Sequence, residues 1–491
     1  MATVDDHAAP MGGFRESLIT GPPAWIVVTL AFAAVHAGLI HRLPLTGDEA
    51  LVLYRLDADP APFFPSITDL WAYWGGRVLP GLPGRRFCFL IAATLAGVAV
   101  MRITWLSFRA PLATVLAGIW FHLILIAGRT GVTASDGSVA LFMSALAVWS
   151  LSEVAARRAT PDNTHAALSV GWIVMAGAVS LGGFSSPVIL AIPIGLMISV
   201  PLTAHLRQRS LGSIAWIALI LPAALHVSLY LTLPYPVWPG LPDQDTLAKN
   251  GTLALISLTP GIALLMGFAF AAVAVQAILG ARRPIPLLMV ALTLTIAALG
   301  NGFTRMGVTA ALPALIPLAA GVAVTVLIPR PVLLARMATP LALITAVLSV
   351  AVILAPSGHL ARRIPALLPD AGWPGFARAL EAEANKVGAG WVAGFDPELI
   401  ARLAFYAPEL QATTLRADLP RRAVDCGHLG LFLASPVALG ALQTQFDGAT
   451  PLSQISRRIG TADIATLSIF AVGRPVDYSM CQPGTRSTRP G

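Results

Sequence analysis

Long apolar blocks dominate this chain and leave few ways to fold it. Stretches at about 23–41, 87–105, 111–128, 137–155, 167–184, 186–203, 213–233, 253–279, 285–300, 307–328 and 339–356 carry almost no charge. Each is close to the roughly 20 residues that a helix needs to cross about 30 Å of hydrocarbon. Backbone in lipid must satisfy its own hydrogen bonds, so such blocks are read as helices. The alternation over about 10 residues that marks a membrane barrel is absent. Only 11% of the 491 residues are charged, against about 25% in soluble domains. The mean hydropathy is +0.75. So few charges cannot coat a soluble protein of this length. The expectation is a polytopic α-helical membrane protein with about eleven transmembrane helices and a small C-terminal α/β extracytoplasmic domain.

The loops set the orientation. Arg102 and Arg109, Arg157 and Arg158, Arg207 and Arg209, Arg282 and Arg283, and Arg330 and Arg336 fall in alternate connections. The positive-inside rule assigns these to the cytoplasm, together with a tail over 1–22. That tail carries Asp5, Asp6 and Glu16 against Arg15 alone, a poor basic region for a signal peptide, so the first block is read as a retained span. A formal net charge of +8 would suggest nucleic acid in a soluble protein. Here the basic residues are orientation signals, and no nucleic-acid partner is expected. The opposite face then holds 42–86, 129–136, the turn at Phe184, 234–252 and 301–306, and with an odd number of spans it also holds the C-terminal region.

Residues 23–356 therefore read as the transmembrane domain, with 42–86 as its long first outside loop, and 357–491 as the outside domain. In that domain Trp391–Phe395 reads as a strand. Asp396-Pro397-Glu398 caps a helix through Tyr406. Gly430–Leu433 and Thr466–Val472 read as strands, and about Pro436–Phe446 as a helix. The three cysteines, Cys88, Cys426 and Cys481, form no zinc-type cluster. An extracytoplasmic location leaves a Cys426–Cys481 disulfide open.

Acids and arginines recur on the outside face. Thr46-Gly47-Asp48-Glu49-Ala50 follows the first span, and two adjacent carboxylates at a membrane boundary call for a partner or a purpose. Asp48 capping a helix over Ala50–Leu56 is the plainer reading. Phe63, Phe64, Trp71, Tyr73 and Trp74 mark an element along the membrane surface. Asp136 stands where the fourth span begins, close after Arg129, and a helix cap is again the plain alternative. Arg305 is nearly the sole charge between spans nine and ten. It is either an end-anchor or a bidentate phosphate ligand.

In this order and topology the chain resembles the C-type membrane glycosyltransferases of the protein-mannosyltransferase and aminoarabinose-transferase kind. The matching stretches are Gly47-Asp48-Glu49-Ala50, Leu82-Pro83-Gly84-Arg85-Arg86 opening span two, Arg129 to Asp136 leading into Gly137–Phe142, Ala311–Pro317 in span ten, and Ala401–Tyr406 in the outside domain. The stretch Asp59–Pro65 lacks the histidine that many relatives carry after the first acid. The resemblance implies inverting transfer of a sugar from a polyprenyl-phosphate donor to an extracytoplasmic lipid, glycan or protein acceptor, at the bacterial inner membrane. Asp48 is then the expected base, with Glu49 and Asp136 beside it. Arg305, with Arg129 or Arg86, would bind the donor phosphate. No cofactor is required, and a divalent cation on Asp48, Glu49 and Asp136 stays open. A lipid or lipid-linked-sugar flippase is the alternative, although such proteins place charges inside spans or show repeats.

Overall fold

The computed structural model describes residues 22–58, 66–108, 111–127, 131–156, 164–185, 187–190, 192–193, 213–232, 370–415, 422–434, 442–477 and 480–482, and residues 344, 347 and 351. The chain divides into two compact units. One comprises Met1–Leu39, Phe89–Val132 and Gly137–Val347; the other comprises Ile40–Cys88, Thr133–Asp136 and Leu348–Gly491.

The described helices before the C-terminal region are α1 (Pro22–Ile40), α2 (Gly47–Ala58), α3 (Ile67–Val78), α4 (Gly81–Phe108), α5 (Pro111–Ala127), α6 (Asp136–Ala156), α7 (Thr164–Gly183) and α8 (Ser213–Thr232). Six of them, α1 and α4 to α8, fall on apolar blocks expected to be spans. Among the described residues two stretches, Gly81–Leu106 and Asp136–Val154, are long and apolar enough to cross a membrane, and four shorter apolar helices accompany them. The block 186–203 is described only at its start, where Pro187–Leu190 forms a 3-10 turn. The blocks at 253–279, 285–300 and 307–328 lie outside the described residues, as does nearly all of 339–356. The count of eleven therefore has no structural check. Polar groups within the first unit find one another. His36 and His122 share a hydrogen bond of 3.1 Å between α1 and α5. Arg102, which the loop pattern places at a cytoplasmic connection, lies within α4 and pairs with Glu153 of α6 at 2.7 Å.

In the second unit the C-terminal region folds as α9 (Trp373–Val387), β1 (Ala389–Gly394), α10 (Pro397–Tyr406), β2 (Gln411–Thr414), β3 (Leu429–Ala434), β4 (Ala449–Ile459) and β5 (Ala462–Val472). The sheet order is β2-β1-β3-β5-β4. β1 runs parallel to β2 and β3, and β5 runs antiparallel to β3 and β4. Glycines with positive φ, Gly372 and Gly388, bracket α9, which is where the left-handed conformation costs a glycine nothing. Asp396 caps α10 as its sequence predicts, accepting from the backbone N–H groups of Glu398 and Leu399 at 3.0 and 3.3 Å.

Strands β1 and β3 and the end of β5 are covered on both faces, and their alternating residues divide between two cores. Val392, Leu431, Leu433 and Ile469 face one core, which also holds Phe376, Leu380, Ile400 and Leu403. Trp391, Phe432, Phe470 and Val472 face the other, with Phe446. The first core also takes in Leu45, Ala50, Leu53 and Tyr54. The segment after α1 and the C-terminal region thus share one hydrophobic core. A disulfide joins Cys426 to Cys481 and ties the last described residues to the segment before β3. The expected helix at Pro436–Phe446 is described only from Leu442, where a short turn leads to an isolated bridge at Phe446.

Trp391 is fully buried. Its indole N–H donates to the His428 carbonyl at 3.1 Å, and its ring occupies the space that a Cβ on Gly430 would need. Overfilling a packed core costs about 1–3 kcal/mol. Gly430→Val is expected to lose about that much stability, read as a lower Tm of the detergent-solubilised protein.

Candidate active site

The site begins where the chain leaves α1. The Thr46 carbonyl accepts from Ala50 N–H at 2.9 Å, and the Thr46 hydroxyl accepts from Glu49 N–H at 3.3 Å. Thr46 is therefore the residue that caps α2. The helix starts at Gly47, before the expected Ala50, and Asp48 is not its cap. Asp48 and Glu49 both occupy the first turn, where the helix dipole favours negative charge.

Glu49 and Arg86 form a buried pair, each with no exposed side-chain surface. Arg86 Nε and Nη2 donate to the two Glu49 carboxylate oxygens at 2.7 and 2.5 Å. Its remaining donors reach the carbonyls of Ile40, Leu43 and Pro44 at 2.8, 2.9 and 3.1 Å. A guanidinium has five N–H donors, and all five are used. Glu49 Oε1 also accepts from Ala134 N–H at 3.2 Å. Glu49 and Arg86 were expected to serve the reaction and the donor phosphate. Buried and mutually satisfied, they instead brace the end of α1, the start of α2 and the segment before α6.

A second set of charges surrounds Asp48. Asp136, the first residue of α6, accepts from the Thr68 hydroxyl at 2.5 Å. Asp69 pairs with Arg55 at 2.8 Å and is itself fixed by a reciprocal cap with Ser66, at 3.1 and 3.0 Å. Burial works against the charge on Arg55, but Asp69, Asp136 and Asp48 more than offset it and hold its pKa above the ordinary value. From the C-terminal region, Arg402 pairs with Asp370 at 2.7 Å and stands 3.6 Å from Glu398. The Trp373 ring carries two guanidiniums, Arg402 at 4.8 Å and Arg457 at 4.7 Å. Leu45 N–H donates to the Tyr406 hydroxyl at 3.3 Å.

Of the six carboxylates in this group, Asp48 alone makes no hydrogen bond or ion pair among the described residues. Its side chain is exposed, yet its carboxyl is pushed up to about 7. Burial by the protein around it is the largest cause, followed by the charges of Glu398, Asp136 and Asp370, with Arg402 opposing them. Exposure and desolvation are compatible when a group is open to water on one side and walled by protein on the others. A carboxylate so placed binds and releases a proton near neutral pH, which suits a general base.

Arg129 and Arg305 lie outside the described residues. No group of three or more His, Cys, Asp or Glu side chains able to hold a metal occurs among the described residues. Of the three acids at which a divalent cation was left open, Asp48, Glu49 and Asp136, Glu49 has both oxygens engaged by Arg86. The sequence reading missed Arg55, Asp69, Asp370, Glu398 and Arg402. Three of these carried a signal: Arg55 lies two helical turns after Asp48, and Glu398 and Arg402 have the i,i+4 spacing of a helical ion pair.

Solved structures share this architecture. ArnT from Cupriavidus metallidurans, bound to undecaprenyl phosphate, superposes with a TM-score of 0.52 at 15% identity, over 94% of this chain and 100% of that one. Its apo state gives 0.53 at 14% identity, over 94% and 99%. The chain shares the fold of these ArnT structures. No protein-family model matches it, and no curated protein does.

Two stability predictions follow from the charges. Breaking a buried pair costs about 3–5 kcal/mol, so Glu49→Gln is expected to lower Tm sharply. Arg86→Met should cost at least as much, because it also strands three carbonyls. In the double variant Glu49→Leu/Arg86→Met the losses should sum to less than the two single losses. Asp48 behaves oppositely. Its folded value lies above the ordinary 3.8, so stability falls as pH rises from about 4 through about 7. Asp48→Asn should melt above wild type at pH 8 and level with it at pH 4.

Proposed function

We propose that this chain transfers a sugar from a polyprenyl-phosphate donor to an acceptor hydroxyl on the outer side of a bacterial inner membrane, with Asp48 as the general base. The N-terminus is then cytoplasmic and the C-terminal region extracytoplasmic, as the arginine pattern of the loops requires. One observation carries the reading. In a fold shared with an ArnT that holds undecaprenyl phosphate, one carboxylate is accessible, unpaired and titrates near neutral pH, while the acids around it are committed to partners.

The donor brings its own leaving group, so the protein need not protonate a departing alcohol. Asp48 takes the proton from the acceptor hydroxyl as its oxygen attacks the anomeric carbon. The bond from that carbon to the phosphate oxygen breaks, and the electron pair leaves with the polyprenyl phosphate. A single displacement inverts the anomeric centre. The phosphate needs positive charge as the bond breaks. Arg305 and Arg129 are assigned that role, whereas Arg86 is withdrawn from it by its buried pairing. Asp136, held by the Thr68 hydroxyl, flanks the base, and its charge raises the proton affinity of Asp48.

Membrane vesicles supplied with radiolabelled polyprenyl-phosphate sugars test the proposal. Wild type should transfer label, with a rate that falls about tenfold per pH unit below about pH 7 as Asp48 takes up a proton. Asp48→Asn should insert normally and lose about 10²–10⁴-fold in rate. Near wild-type transfer by that variant would sink the assignment of the base. Movement of the lipid-linked sugar across the vesicle without acceptor glycosylation would favour a flippase.

A further inference from the structure

The surroundings of Asp48 include a contribution from far along the chain. Gly47, the residue before it, has no side chain, and the space where a Cβ would stand is taken by the Glu398 carboxylate, with Arg402 Nη2 2.9 Å away. Two charged side chains of α10 thus press on the backbone from which Asp48 projects. They are themselves held in place. Arg402 is buried, pairs with Asp370 and lies over Trp373. Its Nε finds no hydrogen-bond partner among the described residues, so stacking, the short Asp370 pair and the longer Glu398 contact fix the guanidinium. One turn earlier, Glu398 is set by the Asp396 cap of the same helix. On the next turn, Tyr406 receives the Leu45 N–H. Three successive turns of α10 therefore meet the stretch from Leu45 to Asp48.

The geometry points to Glu398 and Arg402 as positioning residues for Asp48, through which the C-terminal region sets the charge and placement of that carboxylate. The inference rests on the reading of Asp48 as the base and adds to it an answer to what the C-terminal region does for the chemistry. The charged and titratable groups gathered around Asp48 are Glu49 and Arg55 from α2, Arg86 from α4, Asp136 from α6, Asp370 before α9, and Glu398, Arg402 and Tyr406 from α10. Glu49 and Arg86 cancel within their own pair. Arg55 is engaged by Asp69. Among the charges that act on Asp48, the Glu398 carboxylate is the largest that raises its proton affinity, and Arg402, like Arg55, lowers it. The two α10 residues thus act in opposite senses on one group, so their net effect depends on how firmly α10 is docked.

A measurement that needs no sugar tests this in the purified full-length protein. Carbodiimide coupling of glycine ethyl ester labels protonated carboxyls, and peptide mass spectrometry follows the labelling of Asp48 against pH. In Glu398→Gln the Asp48 midpoint should fall by roughly half a pH unit or more, because a like charge is gone. In Arg402→Gln it should rise by a similar amount, and Glu398→Asp should restore most of the wild-type value. A purely structural role for α10 would not move the two midpoints in opposite directions. If Arg402→Gln fails to fold, Glu398→Gln decides alone, since the Arg402–Asp370 pair is left intact. An Asp48 midpoint unmoved in Glu398→Gln overturns the inference. The transfer assay of Asp48→Asn bears on the base assignment independently, so failure of either idea is seen separately.

Discussion

The buried pair between Glu49 and Arg86 is the contact on which the second unit's geometry depends. Two ions without exposed surface are stable only if every donor and acceptor is met, and here the five guanidinium donors are met by Glu49 and three carbonyls. Those carbonyls belong to the residues that turn the chain from α1 into α2. Glu49 also receives Ala134 N–H, just before α6. One ion pair therefore ties together the end of α1, the first turn of α2, the start of α4 and the approach to α6. Asp48 and Asp136, 88 positions apart in sequence, owe their proximity to this arrangement. Such a pair adds little net stability compared with a well-packed apolar cluster; what it contributes here is registration.

The C-terminal region completes what the pair begins. Leu45, Ala50, Leu53 and Tyr54 supply one wall of the core beneath the sheet, so the loop that bears the site cannot be ordered independently of the tail. α10 is the meeting point, with Leu399, Ile400 and Leu403 in that core and its polar residues directed at Gly47. A C-terminal domain that only bound a partner would not need to pack one of its capped helices against the segment that follows α1.

Much of this was legible in the sequence because the relevant forces are local. Apolar block length located six helices. Asp396-Pro397 announced α10, and the continuous apolar runs of β1 and β3 announced strands covered on both faces. The hairpin of β4 and the first half of β5 was missed because it buries little. Ser453, Gln454, Arg457 and Arg458 give β4 the look of a polar loop, and its pairing with β5 is what makes it a strand. α2 was placed too late because Thr46, rather than Asp48, takes the cap. At the site, Asp48, Glu49 and Asp136 stood out by position. Arg402, Asp370 and Glu398 did not stand out as their neighbours, because they come near Asp48 only through tertiary packing.

The same locality explains why the two adjacent acids could not be told apart beforehand. Consecutive residues of a helix project about 100° apart. Once α2 begins at Gly47, Asp48 and Glu49 must face different surroundings, whatever their chemical likeness. Glu49, with one more methylene, reaches Arg86 and gives up both oxygens. Asp48, shorter and turned away, keeps its oxygens and stands among Asp136, Asp370 and Glu398. A carboxylate paired like Glu49 has both oxygens taken up by the guanidinium and presents neither to an incoming hydroxyl. A carboxylate crowded by like charges and partly stripped of water gains by accepting one. On the proposed reading, the base is set less by the identity of the acid than by which of two neighbours the arginine reaches.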